Sequence, residues 1–136
     1  MVKKEKISEG DKASILGRIT ITTDLKDMAA VDFVVEAAVE REDLKFKIFE
    51  DLDKICPPDV ILSTNTSSIP IGRIAARTSR PEKIIGMHFM NPVPVMRLIE
   101  VISGFKTSED TCNIISELTK KLDKTPIPAK EPHPCQ

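Results

Sequence analysis

Polar and apolar positions change their period repeatedly along the chain, and each change predicts an element. Ser8 followed three residues later by Asp11 has the form of a helix start, and the helix runs to about Gly17. Residues 18–23 (RITITT) alternate and are β-branched, which predicts a strand. Residues 32–37 (DFVVEA) form a short, almost continuous apolar run, predicting a strand buried on both faces. From 41 to about 55, Leu44, Ile48, Leu52 and Ile55 recur on one helical face, and Pro57 and Pro58 close that helix.

The alternation then repeats. Residues 60–65 (VILSTN) predict a buried strand, and 71–77 a short helix entered through Ser68 and Pro70. Residues 83–89 (KIIGMHF) and 97–102 (RLIEVI) predict two more strands. A helix is expected over 108–122, with Thr111, Ile114, Ile115, Leu118 and Leu122 inward. Residues 125–129 (TPIPA) suit an edge strand, because two prolines exclude them from a sheet interior.

Strands alternating with helices predict an α/β fold with a mainly parallel sheet. One connection departs from that rule. Only MNPVPVM separates residues 89 and 97, too little for a crossover helix, so those strands are expected to pair antiparallel and the sheet to be mixed. The last residues, 131–136 (EPHPCQ), lack periodicity and read as a disordered tail. The chain opens on a helix with no strand before it, and its five glycines, at 10, 17, 72, 86 and 104, form no GxGxxG turn.

Composition narrows the function classes. The 136 residues carry 20 Lys plus Arg against 21 Asp plus Glu, a net charge of -1. That balance gives no long-range attraction for nucleic acid or an anionic membrane. No apolar run approaches the about 20 residues of a membrane span. The opening MVKKEK has no apolar stretch after it and is not a secretory signal, so a cytoplasmic location is expected. Cys56, Cys112 and Cys135 lack CxxC spacing, which predicts idle or buried thiols and no metal site.

Three groups of residues could carry chemistry. His88 lies near the carboxyl end of a strand, where ligands bind in open α/β sheets. A hairpin centred near Pro94 would set His88 opposite Glu100 on the same face. A carboxylate beside an imidazole favours the charged ring and fixes its tautomer, as a general base requires; from spacing alone, a cross-strand ion pair with no catalytic role fits equally well. Residues 63–68 (STNTSS) place short polar side chains between a strand and a helix, where they can cap the helix or face a ligand. Glu36 and Glu40 flank a strand-to-helix turn, with Lys45 one helical turn further on. Glu40 suits a helix N-terminus whatever its function, and a lysine at 45 is ordinarily a solvated surface charge.

Together, DFVVEAAVE (32–40), ILSTNTSSIPI (61–71) and IIGMHFMNPVPVMRLIEVISG (84–104) resemble the short-chain L-3-hydroxyacyl-CoA dehydrogenase family, nearest its 3-hydroxybutyryl-CoA dehydrogenase members. The likeness runs from about residue 6 to about 130. It implies a partial Rossmann-like domain that uses NAD, with 1–130 as the later part of that domain and the first βαβ unit lacking. It implies reversible oxidation of an L-3-hydroxyacyl-CoA to the 3-ketoacyl-CoA, in fatty acid or butanoate metabolism. His88 would be the general base, Glu100 its orienting partner, and Ser67 a hydrogen-bonding contact to substrate and cofactor. Glu40, Lys45 and Asn91 match positions that contact the cofactor.

The family's glycine-rich turn, first helix pair and C-terminal helical domain have no counterpart in the 136 residues. Little independent activity is therefore expected, and residues 32–37 are expected to become an exposed sheet edge. The resemblance implies a homodimer for full-length relatives, while the edge predicts self-association or pairing with a complementary chain. A related oxidoreductase on the same scaffold, such as the gulonate dehydrogenase and lens-crystallin branch, is the remaining alternative.

Overall fold

A computed structural model describes residues 8–131. The opening residues 1–7 and the expected tail at 132–136, with His133 and Cys135, lie outside the described residues. Helix α1 (Glu9–Gly17) begins at the expected capping box: Ser8 accepts from the Asp11 amide at 3.0 Å, and the Asp11 carboxylate accepts from the Ser8 amide at 3.2 Å. It buries none of its residues.

Residues 18–23 form no strand, contrary to the expectation. Ile19 is 59% and Ile21 90% exposed. Alternation decides which side chains share a face, but a strand also needs a neighbour to take its backbone groups, and this segment has none among the described residues. A 3-10 turn, Leu25–Ala30, follows, with Asp24 accepting from the Lys26 amide at 3.0 Å.

The remaining elements are β1 (Phe33–Glu36), α2 (Glu42–Ile55), β2 (Ile61–Thr64), α3 (Ile71–Ala75), β3 (Ile84–Phe89), β4 (Leu98–Ser103), α4 (Glu109–Lys121) and β5 (Thr125–Lys130). The sheet order is β1-β2-β3-β4-β5. Its pairings are parallel except for β3 with β4, which are antiparallel, so the sheet is mixed as expected. The register pairs His88 with Glu100, placing the turn's centre at residue 94. At the two ends of β5 the Thr125 amide donates to the Arg97 carbonyl at 2.7 Å and the Glu131 amide to the Ser103 carbonyl at 2.8 Å, so the odd-numbered amides face β4. Alternation therefore turns the nitrogens of Pro126 and Pro128 away from the sheet, which is what an edge strand permits.

Two cores flank the sheet. Phe46, Phe49 and Leu52 of α2 and Ile71 and Ile74 of α3 pack on Val34, Leu62 and Ile84. On the other face, Ile115 of α4 packs on Ile61, Ile85, Met87, Ile99 and Val101. Strand β2, central enough to be covered twice, is buried at every position. Strand β1 is not, contrary to expectation: Val34 and Glu36 are buried, but Val35, on the outermost strand among the described residues, is exposed.

The helix faces differ from the predicted ones in detail. The buried positions of α2 are Lys45, Phe46, Phe49 and Leu52, so the inward stripe is rotated from the 44-48-52-55 set and includes a charge. In α4 the stripe is Thr111, Ile115 and Thr119, while Ile114 and Leu122 are about half exposed. The threonines satisfy their hydroxyls on backbone carbonyls: Thr111 donates across to the Glu82 carbonyl at 2.9 Å, and Thr119 donates one turn back to the Ile115 carbonyl at 2.8 Å.

Arg80 anchors the end of α2. It is 4% exposed, and its guanidinium donates to the Asp53 carboxylate and to the carbonyls of Asp53, Cys56, Pro57 and Val60 at 2.6–3.0 Å. These include carbonyls left open by the helix terminus. Glu131, placed by sequence in the tail, is held in the fold: its amide donates to Ser103 at 2.8 Å and its carboxylate accepts from the Gly72 amide at 2.9 Å.

Candidate active site

The parallel strands β1, β2 and β3 end on the same side of the sheet, and the candidate residues gather at those ends. His88 is the penultimate residue of β3 and shares its face with Gly86, which lies beneath Ile71 of α3. Its Nδ1 stands 3.5 Å from Glu100 Oε1, an ion-pair distance longer than a good hydrogen bond. The His88 side chain is 24% and that of Glu100 39% exposed, so both are partly open to solvent. With Nδ1 facing the carboxylate, Nε2 is the nitrogen left to exchange a proton.

Asn65, read from sequence only as one member of the 63–68 polar run, fixes how the strand ends meet. Its amide donates to the Glu36 carbonyl at 2.8 Å, and its side-chain oxygen accepts from the Phe89 amide at 2.8 Å. It thus ties the end of β1 to the residue after His88. A lone Asn in a polar run gives no sequence sign of this, because the bond depends on the parallel neighbour.

The 63–68 run does not cap α3, whose N-cap is Pro70 without a side-chain bond. Its hydroxyls point across the sheet instead. Ser63 donates to the Val34 carbonyl at 2.8 Å, Thr64 to Glu36 at 2.7 Å, and Thr66 to Glu40. Glu40 also accepts from the Ser67 amide at 3.1 Å and the Ser67 hydroxyl at 3.2 Å. Burial alone would raise the Glu40 carboxyl, but the Thr66 and Ser67 bonds and the nearby Lys45 charge outweigh it and hold it below its ordinary value.

Lys45 is not a surface charge. Its side chain is 1% exposed, bonded to Glu36 at 2.7 Å and to the Ala38 carbonyl at 3.0 Å. The carboxylate at Glu36, 2% exposed, makes that burial tolerable. Asn91 lies exposed in the β3–β4 turn, ahead of a cis Pro92. The structure therefore gathers Ser67 with Glu40 and Lys45 behind it, and His88 with Glu100, at adjoining strand ends.

A cleft of about 710 Å³ opens beside Ser67, walled by Ile69, Ile71, Ile102 and Phe105. No group of three or more His, Cys, Asp or Glu among the described residues could hold a metal. Cys56 and Cys112 are free thiols, each raised by burial. No helix among the described residues is long and apolar enough to cross a membrane.

A mainly parallel α/β sheet that gathers hydroxyls and an imidazole–carboxylate pair at its carboxyl ends has the form of a dinucleotide-binding domain. Comparison with known proteins names the family. A family model described as 3-hydroxyacyl-CoA dehydrogenase, NAD binding domain, matches residues 1–132, and the chain belongs to that family. It is 50% identical over 125 residues to the probable 3-hydroxybutyryl-CoA dehydrogenase of Deinococcus radiodurans, covering 92% of this chain and 45% of the relative. It is 46% identical over 131 residues to the 3-hydroxybutyryl-CoA dehydrogenase of Clostridioides difficile, covering 96% and 47%. The crystal structure of (S)-3-hydroxybutyryl-CoA dehydrogenase from Ralstonia eutropha superposes with a TM-score of 0.93 at 50% identity, over 96% of this chain and 46% of that one. The chain spans about half the length of the curated relatives it matches.

Proposed function

We propose that this chain provides the proton-transfer half of an L-3-hydroxyacyl-CoA dehydrogenase site. The observation that carries it is the His88–Glu100 register, with Nδ1 3.5 Å from the carboxylate on the cleft side of the sheet. In the oxidative direction, His88 Nε2 takes the proton from the substrate's 3-hydroxyl as that carbon loses its hydride. Glu100 keeps the ring's other proton on Nδ1 and stabilises the imidazolium that forms. In reverse, the imidazolium returns the proton to the 3-keto oxygen.

NAD would supply the hydride acceptor. The groups present suit its nicotinamide end: exposed Ser67, the Glu40 carboxylate, and Asn91 in the neighbouring turn. Ser67 is also the contact to the substrate oxygen. Its hydroxyl donates to Glu40 in this structure, so donation to a ligand oxygen requires that hydroxyl to turn. No glycine-rich phosphate turn occurs in the 136 residues. The substrate is a 3-hydroxyacyl- or 3-ketoacyl-CoA, supported by relatives named for 3-hydroxybutyryl-CoA. Free Cys56 and Cys112 support a cytoplasmic setting.

The test is NADH oxidation with acetoacetyl-CoA by purified 1–136. Little or no turnover is expected. Turnover equal to that of a full-length relative would refute the need for further segments, and its survival in His88→Ala would refute the assigned base.

A second reading is favoured by the outer side of β1, which no strand pairs among the described residues. Here the chain is a non-catalytic subunit that self-associates or joins a complementary chain through that edge. Light scattering after size exclusion separates the readings, since a stable monomer at high concentration would argue against strand-seeking behaviour.

A further inference from the structure

A closed ring of polar contacts stands behind Ser67 at the ends of β1 and β2. One Glu36 oxygen accepts from Lys45 Nζ and from the Ala38 amide, both at 2.7 Å; the other accepts from the Thr64 hydroxyl at 2.7 Å. Lys45 also donates to the Ala38 carbonyl at 3.0 Å and lies 4.0 Å from Glu40. Glu40 holds the Thr66 hydroxyl, and the Thr66 amide returns to the Thr64 hydroxyl at 3.2 Å. Glu36, Lys45, Glu40, Thr66 and Thr64 complete the circuit.

Stability alone does not account for it, since apolar residues of similar volume fill such a space at no desolvation cost. What the pair does is geometric. Glu36 and Lys45 grip Ala38 from both sides, through its amide and its carbonyl, and so set where Glu40 leaves the 37–41 turn. The Lys45 ammonium, at 1% side-chain exposure, is held within this ring by Glu36 and the Ala38 carbonyl.

We propose that Glu36 is a positioning residue: together with Lys45 it fixes the 37–41 turn so that Glu40 clamps the Ser67 amide and hydroxyl. This rests on the reading of Ser67 as a ligand contact. Because a carboxylate only accepts, the clamp aims the Ser67 proton at Glu40 and leaves its lone pairs toward the cleft. The groups facing Glu40 are Lys45 from α2, with Glu36 of β1 behind it, and Thr66 and Ser67 from the β2–α3 connection.

The experiment is a pH titration of the isotopically labelled chain, following the Glu40 carboxyl carbon and the Ser67 amide by NMR. In the unsubstituted protein the two signals titrate together. In Lys45→Met, and in Glu36→Gln/Lys45→Met, which leaves no single charge buried, the Glu40 midpoint rises. The Ser67 amide then loses most of its pH-dependent shift while the other sheet amides keep theirs. A folded double variant in which Ser67 follows Glu40 as before would overturn the proposal. Loss of the fold in both variants, seen by far-UV circular dichroism, would also overturn it by assigning the pair to stability. Ser67→Ala, read by NADH fluorescence, tests the underlying ligand contact separately: unchanged NADH binding there, with the residue 67 amide still following Glu40, would remove the ligand role and leave the positioning geometry standing.

Discussion

Gly86→Ala couples the packing of this sheet to its candidate site. Gly86 pairs with Ile102 across β3 and β4, and the next pair on the same face is His88 with Glu100. A methyl at Gly86 would lie 2.9 Å from Ile102 Cβ, 3.1 Å from Ile71 Cδ1 and 3.3 Å from the Ile102 carbonyl oxygen. Ile71 Cδ1 ends a side chain and can turn aside. Ile102 Cβ and oxygen are fixed to the β4 backbone, so relief means moving β4 away from β3.

Overpacking a core costs about 1–3 kcal/mol, and replacing glycine returns about 0.4–1 kcal/mol through the unfolded chain. With backbone-bound atoms in the way the steric cost sits at the upper end, and the net loss is about 2 kcal/mol. In urea, at a slope of about 1–3 kcal/mol/M, the midpoint falls by about 1 M. The same displacement widens the 3.5 Å His88–Glu100 contact, so amide shifts along β4 move with the midpoint. Gly10→Ala is the control, because its nearest atom is Ser8 Oγ at 3.7 Å on an exposed helix. A Gly86→Ala protein within about 0.5 kcal/mol of the parent, with unchanged β4 amides, would refute the reasoning.

Other outcomes follow from the same contacts. Arg80→Ala strands the mostly buried Asp53 and several carbonyls and should lower stability by about 3–5 kcal/mol in denaturant titration; a loss under about 1 kcal/mol would show that the anchor is dispensable. For Asp53, burial raises the carboxyl, but the Ser79 and Arg80 bonds outweigh it and hold it low, as at Glu40. Folded values below unfolded ones mean this stability is present above about pH 4 and is lost as pH falls through the folded values. Asp53→Asn should therefore flatten the acid limb of stability against pH. Cys56, 4% exposed and raised by burial, should resist iodoacetamide at pH 8 until the chain unfolds, as peptide mass mapping can follow.

The hairpin was the most legible feature of the sequence, because seven residues between two apolar runs exclude a crossover helix, and a turn centred near Pro94 sets His88 against Glu100, the register observed. The edge position of β5 was equally readable from Pro126 and Pro128. What sequence could not convey depended on partners distant in the chain. RITITT has a strand's pattern without a strand's neighbour. Lys45 reads as surface until Glu36, nine residues earlier, is seen to neutralise it inside the fold. The Ser/Thr run reads as a cap until Glu40 and Glu36 take its hydroxyls.

The central claim, that His88 and Glu100 are the proton-transfer pair, is tested most directly in a chimera. Residues 8–131 replace the matching stretch of the Ralstonia eutropha enzyme, and acetoacetyl-CoA-dependent NADH oxidation is measured. The account predicts an active chimera in which His88→Ala lowers kcat by about 10²–10⁴-fold, and Glu100→Gln lowers it to a lesser degree. An active chimera whose kcat is unmoved by His88→Ala would contradict it.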